Sequence, residues 1–565
     1  MNALSQFVNA STILAADAAA PPSVGWGAMT MLILFIAGSM CIGVFANMTT
    51  EKGGFMKGFF LGNRGLGAWA LALTATIQSG GTFMGFPSLV YSHGWIVALW
   101  IGSYMVVPIT GFGILGKRLA QLSRRTGAIT VPDLFRTRFH SPALGLTSTI
   151  FILLYLSFMM FAQFKAGAIV IQLAWPNGGE LSLSEDAVSV SETRYHIGLI
   201  VFAVTVVGYT LMGGFLAAVW TDLFQSLLMF VGVVILLIAS LNAAGGLENA
   251  TRTSLANTGP GFASGPGFIA DNSNHDFLPL SLAISFFVVW IWGGVGAPAG
   301  LVRLMASQNT SVIRRSIYLL SLYNMGIYLP LIVICICGRA LIPALDGKSD
   351  QIIPRMAIMT TSHWPGGSFV AGLILAAPFG AVMATVSSYL VVLSSGVVRD
   401  IYQRFIAPNA DRNQLRRGAW GTMIVAGLIS VAVSWYPVTY LQAFIIFSTS
   451  GAAATFLVPA LMACYWRRAT TAGVFASMIS GALTVLALYL IGILGLMPRQ
   501  AIGAATGFRP WYLWGFDPLI WGILVSGTSG ILMSLMTMPL DEELVSRMFD
   551  EQPESRQPLT GNSPA

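Results

Sequence analysis

Charge is what this sequence has least of. Charged residues make up 9% of the 565-residue chain, while apolar residues make up 55%. A soluble globular chain carries roughly 25% charged residues, so this one cannot cover a water-facing surface of its size. The shortage argues against a soluble enzyme, a nucleic-acid-binding protein, a disordered chain and a coiled coil. The 61 glycines fit a membrane protein of many spans, in which small residues let helices approach closely.

Cysteine and histidine are also scarce. The four cysteines fall in or beside apolar runs, and Cys335 and Cys337 lie two residues apart, which does not suit a zinc site on a helix. None of the five histidines is paired at metal-ligand spacing, and neither a His-Glu-x-x-His nor a Gly-x-Ser-x-Gly motif occurs. The sequence therefore predicts a protein that is not an enzyme and uses no cofactor.

Long apolar runs dominate the chain. A helix needs about 20 residues to cross the hydrocarbon core, and that length predicts an all-α polytopic membrane protein of about thirteen transmembrane helices, near residues 26–47, 66–92, 95–116, 142–173, 195–216, 218–243, 277–302, 314–338, 366–397, 418–435, 437–464, 470–495 and 515–539. Residues 1–25 lack the pattern of a removable signal peptide and are expected to form an extracytoplasmic segment. Residues 540–565 are expected to form a disordered cytoplasmic tail.

The basic residues orient this bundle, because Lys and Arg stay on the cytoplasmic side of a membrane. They concentrate in alternate loops: the stretch after residue 116, Arg303 with its neighbours, residues 399–417, and Arg467 with Arg468. The 174–194 loop is acidic instead. The pattern predicts an N-terminus outside and a C-terminus in the cytoplasm, with the protein in the plasma (inner) membrane.

Two predicted spans are interrupted. One contains Ser79-Gly80-Gly81-Thr82, and the other, five spans later, contains Trp290-Ile291-Trp292-Gly293-Gly294 and ends at Pro298. Matched breaks of this kind mark the binding site of transporters built from inverted repeats, here 66–243 and 277–464. Unwound backbone frees carbonyls for a cation and directs helix N-termini at an anion. The predicted hinge positions are Gly80, Gly81, Gly293, Gly294, Gly296 and Pro298. Alternatively, the glycines only let helices cross closely.

Hydroxyl groups cluster on one later span. Positions 381, 384, 385 and 388 share a helix face, where Thr385 and Ser388, with Ser387 beside them, present oxygens that suit a hard monovalent cation. A hydroxyl inside a membrane also commonly bonds the backbone of its own helix, and that alternative stays open.

Two charged residues lie inside predicted spans, where a charge indicates function. Asp222 is either part of a cation site or a helix cap at the inner interface. Lys165, in an otherwise apolar run, either faces the cavity to hold a substrate carboxylate or extends to the outer interface.

These segments together resemble the sodium:solute symporter family over roughly residues 50–480, with the strongest likeness to its pantothenate carriers. The resemblance rests on Phe60-Leu61-Gly62-Asn63-Arg64, Gly113-Ile114-Leu115-Gly116-Lys117, Ala243-Ala244-Gly245-Gly246-Leu247, Ala376-Ala377-Pro378-Phe379-Gly380-Ala381-Val382-Met383 and Arg399-Asp400-Ile401-Tyr402. It implies the leucine-transporter fold: two five-helix inverted repeats, the leading helix 26–47 outside them, and two trailing helices within 470–539.

The resemblance also implies ion sites. The family's shared sodium site maps to backbone carbonyls at Ala75 and Gln78 and to Ala381, Ala384 and Thr385. Many members have a hydroxyl residue where this chain has Ala384, which weakens the sodium site and leaves room for proton coupling. A second site, described for some relatives, maps to Asp222, Ser387 and Ser388, which also lie on a possible ion exit.

The expected function is sodium-coupled symport of a small polar solute, a carboxylate such as pantothenate, by alternating access. Substrate-binding candidates are Ser79, Thr82, Gln163, Lys165, Trp290 and Trp292, although the aromatic residues would also serve in packing. The alternatives are a proton-coupled symporter of the same fold for another monocarboxylate and a non-transporting membrane sensor. The expected partners are the solute, sodium and the lipid bilayer, with no nucleic acid and no obligatory protein partner.

Overall fold

The computed structural model describes residues 25–49, 60, 66–75, 79–97, 101–103, 107–176, 185–267, 278–343, 345, 348–436, 441–503 and 506–549. Within these residues the protein is helical, with an isolated bridge between Leu66 and Ser307 and no strand. In chain order the α-helices are α1 Trp26–Thr49, α2 Ala68–Ala75, α3 Phe86–His93, α4 Lys117–Thr126, α5 Val131–Phe139, α6 Pro142–Ala174, α7 Glu185–Ala244, α8 Leu247–Thr258, α9 Leu280–Gly296, α10 Pro298–Met305, α11 Thr310–Leu341, α12 Ile352–Thr361, α13 Gly367–Ser395, α14 Arg412–Ser434, α15 Leu441–Tyr465, α16 Thr471–Ile493, α17 Pro518–Met536 and α18 Glu542–Phe549.

Shorter helical turns extend or join these helices. The π-helical segments are Gly81–Gly85, which runs into α3, Pro108–Gly116, which runs into α4, and Gly396–Ile406, which extends α13. The 3₁₀ turns are Gly94–Val97, Pro260–Ala263, Ser349–Gln351 and Leu513–Gly515.

The described residues contain 11 helical segments that are long and apolar enough to cross a membrane, against about thirteen predicted. The difference arises in the predicted spans 66–92 and 95–116. Residues 76–78, 98–100 and 104–106 lie outside the described part there, and the described residues form the short helix α2 and two segments, Gly81–Val97 and Ile101–Thr126. These two segments are bent by 98° to each other and make a twelfth span if taken together.

Two predicted spans join into the 60-residue helix α7, which changes direction at Gly214. This glycine has φ of 57° and ψ of −146°, a conformation that glycine adopts without the steric penalty a Cβ atom would bring. The segments on either side, Ser191–Met212 and Ala218–Ala244, each meet the length of a span. A change of direction at one residue therefore divides the helix that the sequence predicted as the two spans 195–216 and 218–243.

The helices α13 and α15 form the most buried part of the bundle. Small residues allow this packing: a Cβ atom added to Gly372 would lie 2.7 Å from the Cα of Ala28 in α1, and one added to Gly380 would lie 3.0 Å from the ring of Phe35. The α13 segment that carries Thr385 is consequently fixed against its neighbours.

The helix α6 begins where the sequence provides start signals. Ser141 precedes Pro142, and the Ser141 hydroxyl accepts a hydrogen bond from the Leu144 backbone N–H at 3.2 Å. Such a cap satisfies a backbone N–H group that has no partner inside the helix. It sets the start of the helix that carries Gln163 and Lys165 further along.

The tail predicted to be disordered begins with a helix, α18, while residues 550–565 lie outside the described part. Arg125 donates a hydrogen bond to the Met548 carbonyl oxygen at 2.7 Å, and the Arg138 guanidinium lies 5.2 Å from the centre of the Phe549 ring. Burial lowers the pKa of Arg138 to about 10, so it keeps its charge at neutral pH. These contacts order residues that composition alone assigned to a tail.

Candidate functional site

The two interrupted segments meet around one small cavity. At the first interruption Ser79 is not helical and comes just before the helical residues Gly80 and Gly81, while residues 76–78 lie outside the described part. The second is Ala297, whose extended backbone separates α9 from α10. Pro298 accounts for it, because a residue before proline avoids the helical region and proline favours a first helical position.

The cavity has a volume of about 100 Å³. Both interruptions contribute to its walls, together with α6, α11, α13 and α15. The lining residues are Ser79, Gly81, Thr82, Val107, Met159, Trp290, Gly293, Gly294, Ala297, Ala299, Gly300, Tyr328, Tyr389, Ile445 and Thr449. The structure thus brings together the predicted candidates Ser79, Thr82 and Trp290 with three of the predicted hinge positions, Gly81, Gly293 and Gly294, while Trp292 is partly buried elsewhere.

The hinge glycines let α15 approach both interruptions closely. A Cβ atom added to Gly293 would lie 2.2 Å from Thr449 Cγ2, and one added to Gly296 would lie 2.8 Å from the Cα of Ala453. On the first interruption, a Cβ atom on Gly81 would lie 2.9 Å from Ile445. Close helix crossing and a cavity therefore occur together at these glycines, although the sequence presented them as alternatives.

Polar contacts hold the first interruption in place. The Gly80 backbone N–H donates to Gln163 Oε1 at 2.7 Å, and the Gly81 N–H donates to the Ser79 hydroxyl at 3.1 Å. The Thr82 and Tyr328 hydroxyls are hydrogen-bonded at 3.1 Å. Gln163 is therefore placed behind the interruption and positions it, rather than lining the cavity.

Two of the predicted hydroxyl groups of α13, those of Thr385 and Ser387, bond their own helix in this structure. Thr385 Oγ1 donates to the Ala381 carbonyl oxygen and Ser387 Oγ donates to the Ala384 carbonyl oxygen, both at 3.0 Å. A hydroxyl that donates its hydrogen retains oxygen lone pairs for a cation, so these bonds are compatible with a sodium site. The other predicted ligands are Ala75, which ends α2, and Gln78, which lies outside the described residues.

Asp222 forms an ion pair with Arg303 of the same chain. Arg303 Nη2 donates to Asp222 Oδ2 and to Ser388 Oγ, both at 2.5 Å, and the side chains of Arg303 and Asp222 are each 2% exposed. Arg303 lies in α10 and not in a cytoplasmic loop, so the loop assignment made from the charge pattern was wrong. The guanidinium thus joins α10, α7 and α13 at the location predicted for a second sodium ion.

Lys165 also forms a buried ion pair, with Asp350. Its ammonium lies 2.9 Å from Asp350 Oδ2, and both side chains are almost fully buried. Asp350 belongs to the 3₁₀ turn Ser349–Gln351, which sequence reasoning did not single out. A buried lysine requires an anionic partner, and that requirement is the only sequence signal that could have led to Asp350.

The described residues hold no group of three or more His, Cys, Asp or Glu side chains that could bind a metal ion. The cavity instead offers hydroxyl, indole and backbone groups. Such a lining recognises a polar solute through hydrogen bonds and apolar contacts.

The model of the sodium:solute symporter family matches residues 59–481. The chain belongs to the sodium:solute symporter family. As a family member it is a multi-pass membrane transporter and not an enzyme, and sodium is its coupling ion, as predicted. Curated relatives include the sodium/pantothenate symporters of Haemophilus influenzae, 31% identical over 83% of this chain and 91% of that protein, and of Escherichia coli, 30% identical over 83% and 92%.

More distant family members share most of the chain. The sodium/proline symporter of Staphylococcus aureus is 27% identical over 82% of this chain and 85% of that protein. Among solved structures, a sodium-coupled sialic acid symporter in a substrate-bound outward-open state is similar with a TM-score of 0.66 at 19% identity, covering 92% of this chain and 99% of that one. This likeness confirms the predicted all-α, leucine-transporter-like fold.

Proposed function

We propose that this symporter carries a small carboxylate, with pantothenate as the solute, into the cell together with sodium. The observation that carries the proposal is the cavity at which both interrupted segments meet, lined by hydroxyl and indole groups. The similarity to two sodium/pantothenate symporters over most of the chain supports the choice of solute.

The proposed sodium site lies between α2 and α13. The proposed ligands of the ion are the carbonyl groups of Ala75 and Gln78, together with Ala381, Ala384 and Thr385. Carbonyl oxygens at the end of a helix have no partner within it, and Thr385 adds a hydroxyl oxygen. Sodium bound there would link the first interruption to α13 and favour the conformation that accepts solute.

The solute occupies the central cavity in this proposal, in contact with Ser79, Thr82 and Trp290. The cavity of about 100 Å³ is smaller than the roughly 300 Å³ at which ligand pockets begin. In this proposal the structure represents a closed arrangement, and solute entry requires the walls to separate. The hinge positions around Gly293 and Ala297 are the places where α9 and α10 would move apart.

The proposed orientation in the membrane is the one that the basic residues of the loops predict. The N-terminus and residues 1–25 lie outside, the repeats are 66–243 and 277–464, and the C-terminus is cytoplasmic. An inward-negative membrane potential then favours sodium entry by about 2.3 kcal/mol per charge per 100 mV. That free energy, added to the sodium concentration gradient, drives the solute against its own gradient.

Uptake of labelled pantothenate by purified protein in proteoliposomes tests the proposed function. An inward sodium gradient is expected to produce accumulation, and an equal potassium gradient is not. Uptake driven by an inward proton gradient, without a preference for sodium, would contradict the coupling. No uptake under any of these gradients would remove pantothenate as the solute.

Replacing Thr385 by Val is expected to weaken sodium binding. Val has nearly the same shape but no oxygen to coordinate the ion. If the lost contact is comparable to a hydrogen bond to a charged group, about 1.5–3 kcal/mol, the loss corresponds to roughly tenfold or more in affinity. The sodium concentration for half-maximal uptake should rise by about that factor, with a smaller change in maximal rate.

Thr210→Val is the matched control. Thr210 is buried in a membrane helix and bonds the Val206 carbonyl oxygen four residues earlier, as Thr385 bonds Ala381. Its replacement should leave the sodium dependence unchanged. Equal shifts in both variants would show that loss of a helix hydroxyl, and not loss of a sodium ligand, causes the effect.

A further inference from the structure

We infer that Lys165 exchanges anionic partners during transport: Asp350 holds its ammonium while the outer side is closed, and the carboxylate of the solute takes that place when the outer side opens. The inference rests on the proposed function, since it uses the proposed orientation and solute class. It makes Lys165 a specificity-determining residue and the Lys165–Asp350 pair an outer latch.

The first observation is where the pair lies. Lys165 is in the last third of α6, which in the proposed orientation is the outer part of the helix. Gln163, two residues before it, binds the Gly80 backbone, and a Cβ atom on Gly80 would lie 2.9 Å from the Ala166 side chain. Lys165 is therefore flanked by two residues that contact the first interruption. Along α6 it lies about 9 Å beyond the cavity residue Met159, at about 1.5 Å per residue.

The second observation is what the pair joins. Asp350 Oδ2 also accepts a bond from the Leu441 N–H at the start of α15, at 3.5 Å. Its neighbour Ser349 is hydrogen-bonded to Ser88 of α3 at 2.5 Å. The turn Ser349–Gln351 thus connects α6, α15 and α3 immediately outside the cavity. The helix α3 continues directly from the first interruption, so movement of that interruption strains the same contacts.

The third observation is that the Lys165–Asp350 ion pair is buried. Both side chains are almost fully buried, and a buried charge that loses its partner is strongly unfavourable. Opening the outer side must therefore supply Lys165 with water or another anion. The second oxygen of Asp350, Oδ1, has no hydrogen-bond partner in the described part of the chain, so the carboxylate is only partly satisfied when paired. A solute carboxylate can compete with Asp350 for the ammonium, because Asp350 is only partly satisfied in the pair.

The consequence is a preference for anionic solutes. A carboxylate satisfies the ammonium released from Asp350, whereas a neutral alcohol leaves it without an anion. Sites with a polar group that the ligand must satisfy discriminate strongly against analogues that lack the matching group. Small monocarboxylates are therefore the ligand class that Lys165 selects.

The test compares labelled pantothenate with its neutral alcohol analogue, in which a hydroxymethyl group replaces the carboxylate. The variant Lys165→Met/Asp350→Asn removes both charges together and so avoids an unpaired buried charge. Its KM for pantothenate should rise about tenfold, the effect of one charge-assisted contact, with the KM for the alcohol unchanged. Asp350→Asn alone leaves the ammonium without this carboxylate and is expected to reduce the amount of folded protein. In the protein that folds, the KM for pantothenate should fall, because the competing carboxylate is gone.

A second measurement does not depend on the solute. A cysteine introduced as Thr82→Cys lines the cavity and is labelled by a membrane-impermeant maleimide added outside intact cells. Labelling should be several-fold faster when Asp350→Asn is also present. Glu248→Gln, which removes one partner of the exposed Glu248–Arg252 pair, is the control and should not alter the rate.

The outcomes separate the inference from the proposed function. Unchanged KM values in the double variant would overturn the role in solute binding, and unchanged labelling in Asp350→Asn would overturn the latch. If the wild-type protein transports neither compound but Asp350→Asn accelerates labelling, the latch stands and pantothenate fails as the solute.

Discussion

Replacing Asp222 by Asn is expected to destabilise the protein strongly and to abolish most of its transport. The variant leaves the Arg303 guanidinium, which is almost completely buried, without its carboxylate at 2.5 Å. Removing one partner of a buried ion pair typically reduces the free energy of unfolding by about 3–5 kcal/mol. Thermal unfolding of the purified variant in detergent should show a clearly lowered midpoint, and sodium-driven uptake should fall with it.

A charge-neutral double variant separates the structural role of this pair from a role in ion movement. Asp222→Asn/Arg303→Met removes both buried charges and should recover most of the lost stability. If uptake recovers as well, the pair serves to join the helices. If stability recovers while the sodium dependence stays weak, Asp222 takes part in the ion path, as the second sodium site or ion exit predicted for it with Ser387 and Ser388. Unfolding of Asp222→Asn at the wild-type temperature would contradict the contact itself.

Replacing Gly293 by Ala is expected to give the second large loss. The new Cβ atom would lie 2.2 Å from Thr449 Cγ2, far inside van der Waals contact, so α9 must move away from α15 or Thr449 must change position. Because both residues line the cavity, either response distorts it. Uptake should fall by an order of magnitude or more, measured as initial rate at equal protein density in the membrane.

Two further variants define the cause. Thr449→Ala removes the atom that the new side chain meets, so Gly293→Ala/Thr449→Ala should recover much of the uptake. Gly208→Ala, in α7, is the control: nothing lies within 4 Å of its added Cβ, and alanine stabilises a helix by about 1 kcal/mol relative to glycine. Failure of the double variant to recover would point to backbone flexibility at Gly293 instead of close packing.

The interrupted helices were predictable because their signals are local. Glycine pairs and a proline stand in the sequence at the interruption itself, and Pro298 restricts the residue immediately before it. The family resemblance was predictable for a similar reason, since its motifs are short and contiguous. Both predictions were made without knowledge of which helices touch.

Partners of buried charges were not predictable in this way. Lys165 and Asp350 are 185 residues apart, and Asp222 and Arg303 are 81 apart. The sequence indicated that Lys165 and Asp222 each have a functional or structural partner, because an unpaired charge inside a span is unfavourable. Which residue is the partner depends on tertiary packing, which the sequence does not show directly. Arg303 was misassigned because the rule that places basic residues in cytoplasmic loops counts charges without asking whether a carboxylate neutralises them.

The central claim is that sodium and a small carboxylate cross the membrane together through this cavity. Entry of ²²Na⁺ and of differently labelled pantothenate, followed in the same proteoliposomes, tests it most directly. Sodium-coupled symport predicts that each ligand accelerates entry of the other, in a fixed ratio, and that Thr385→Val reduces both fluxes together. Pantothenate entry without accompanying sodium, or sodium entry indifferent to pantothenate, would contradict it.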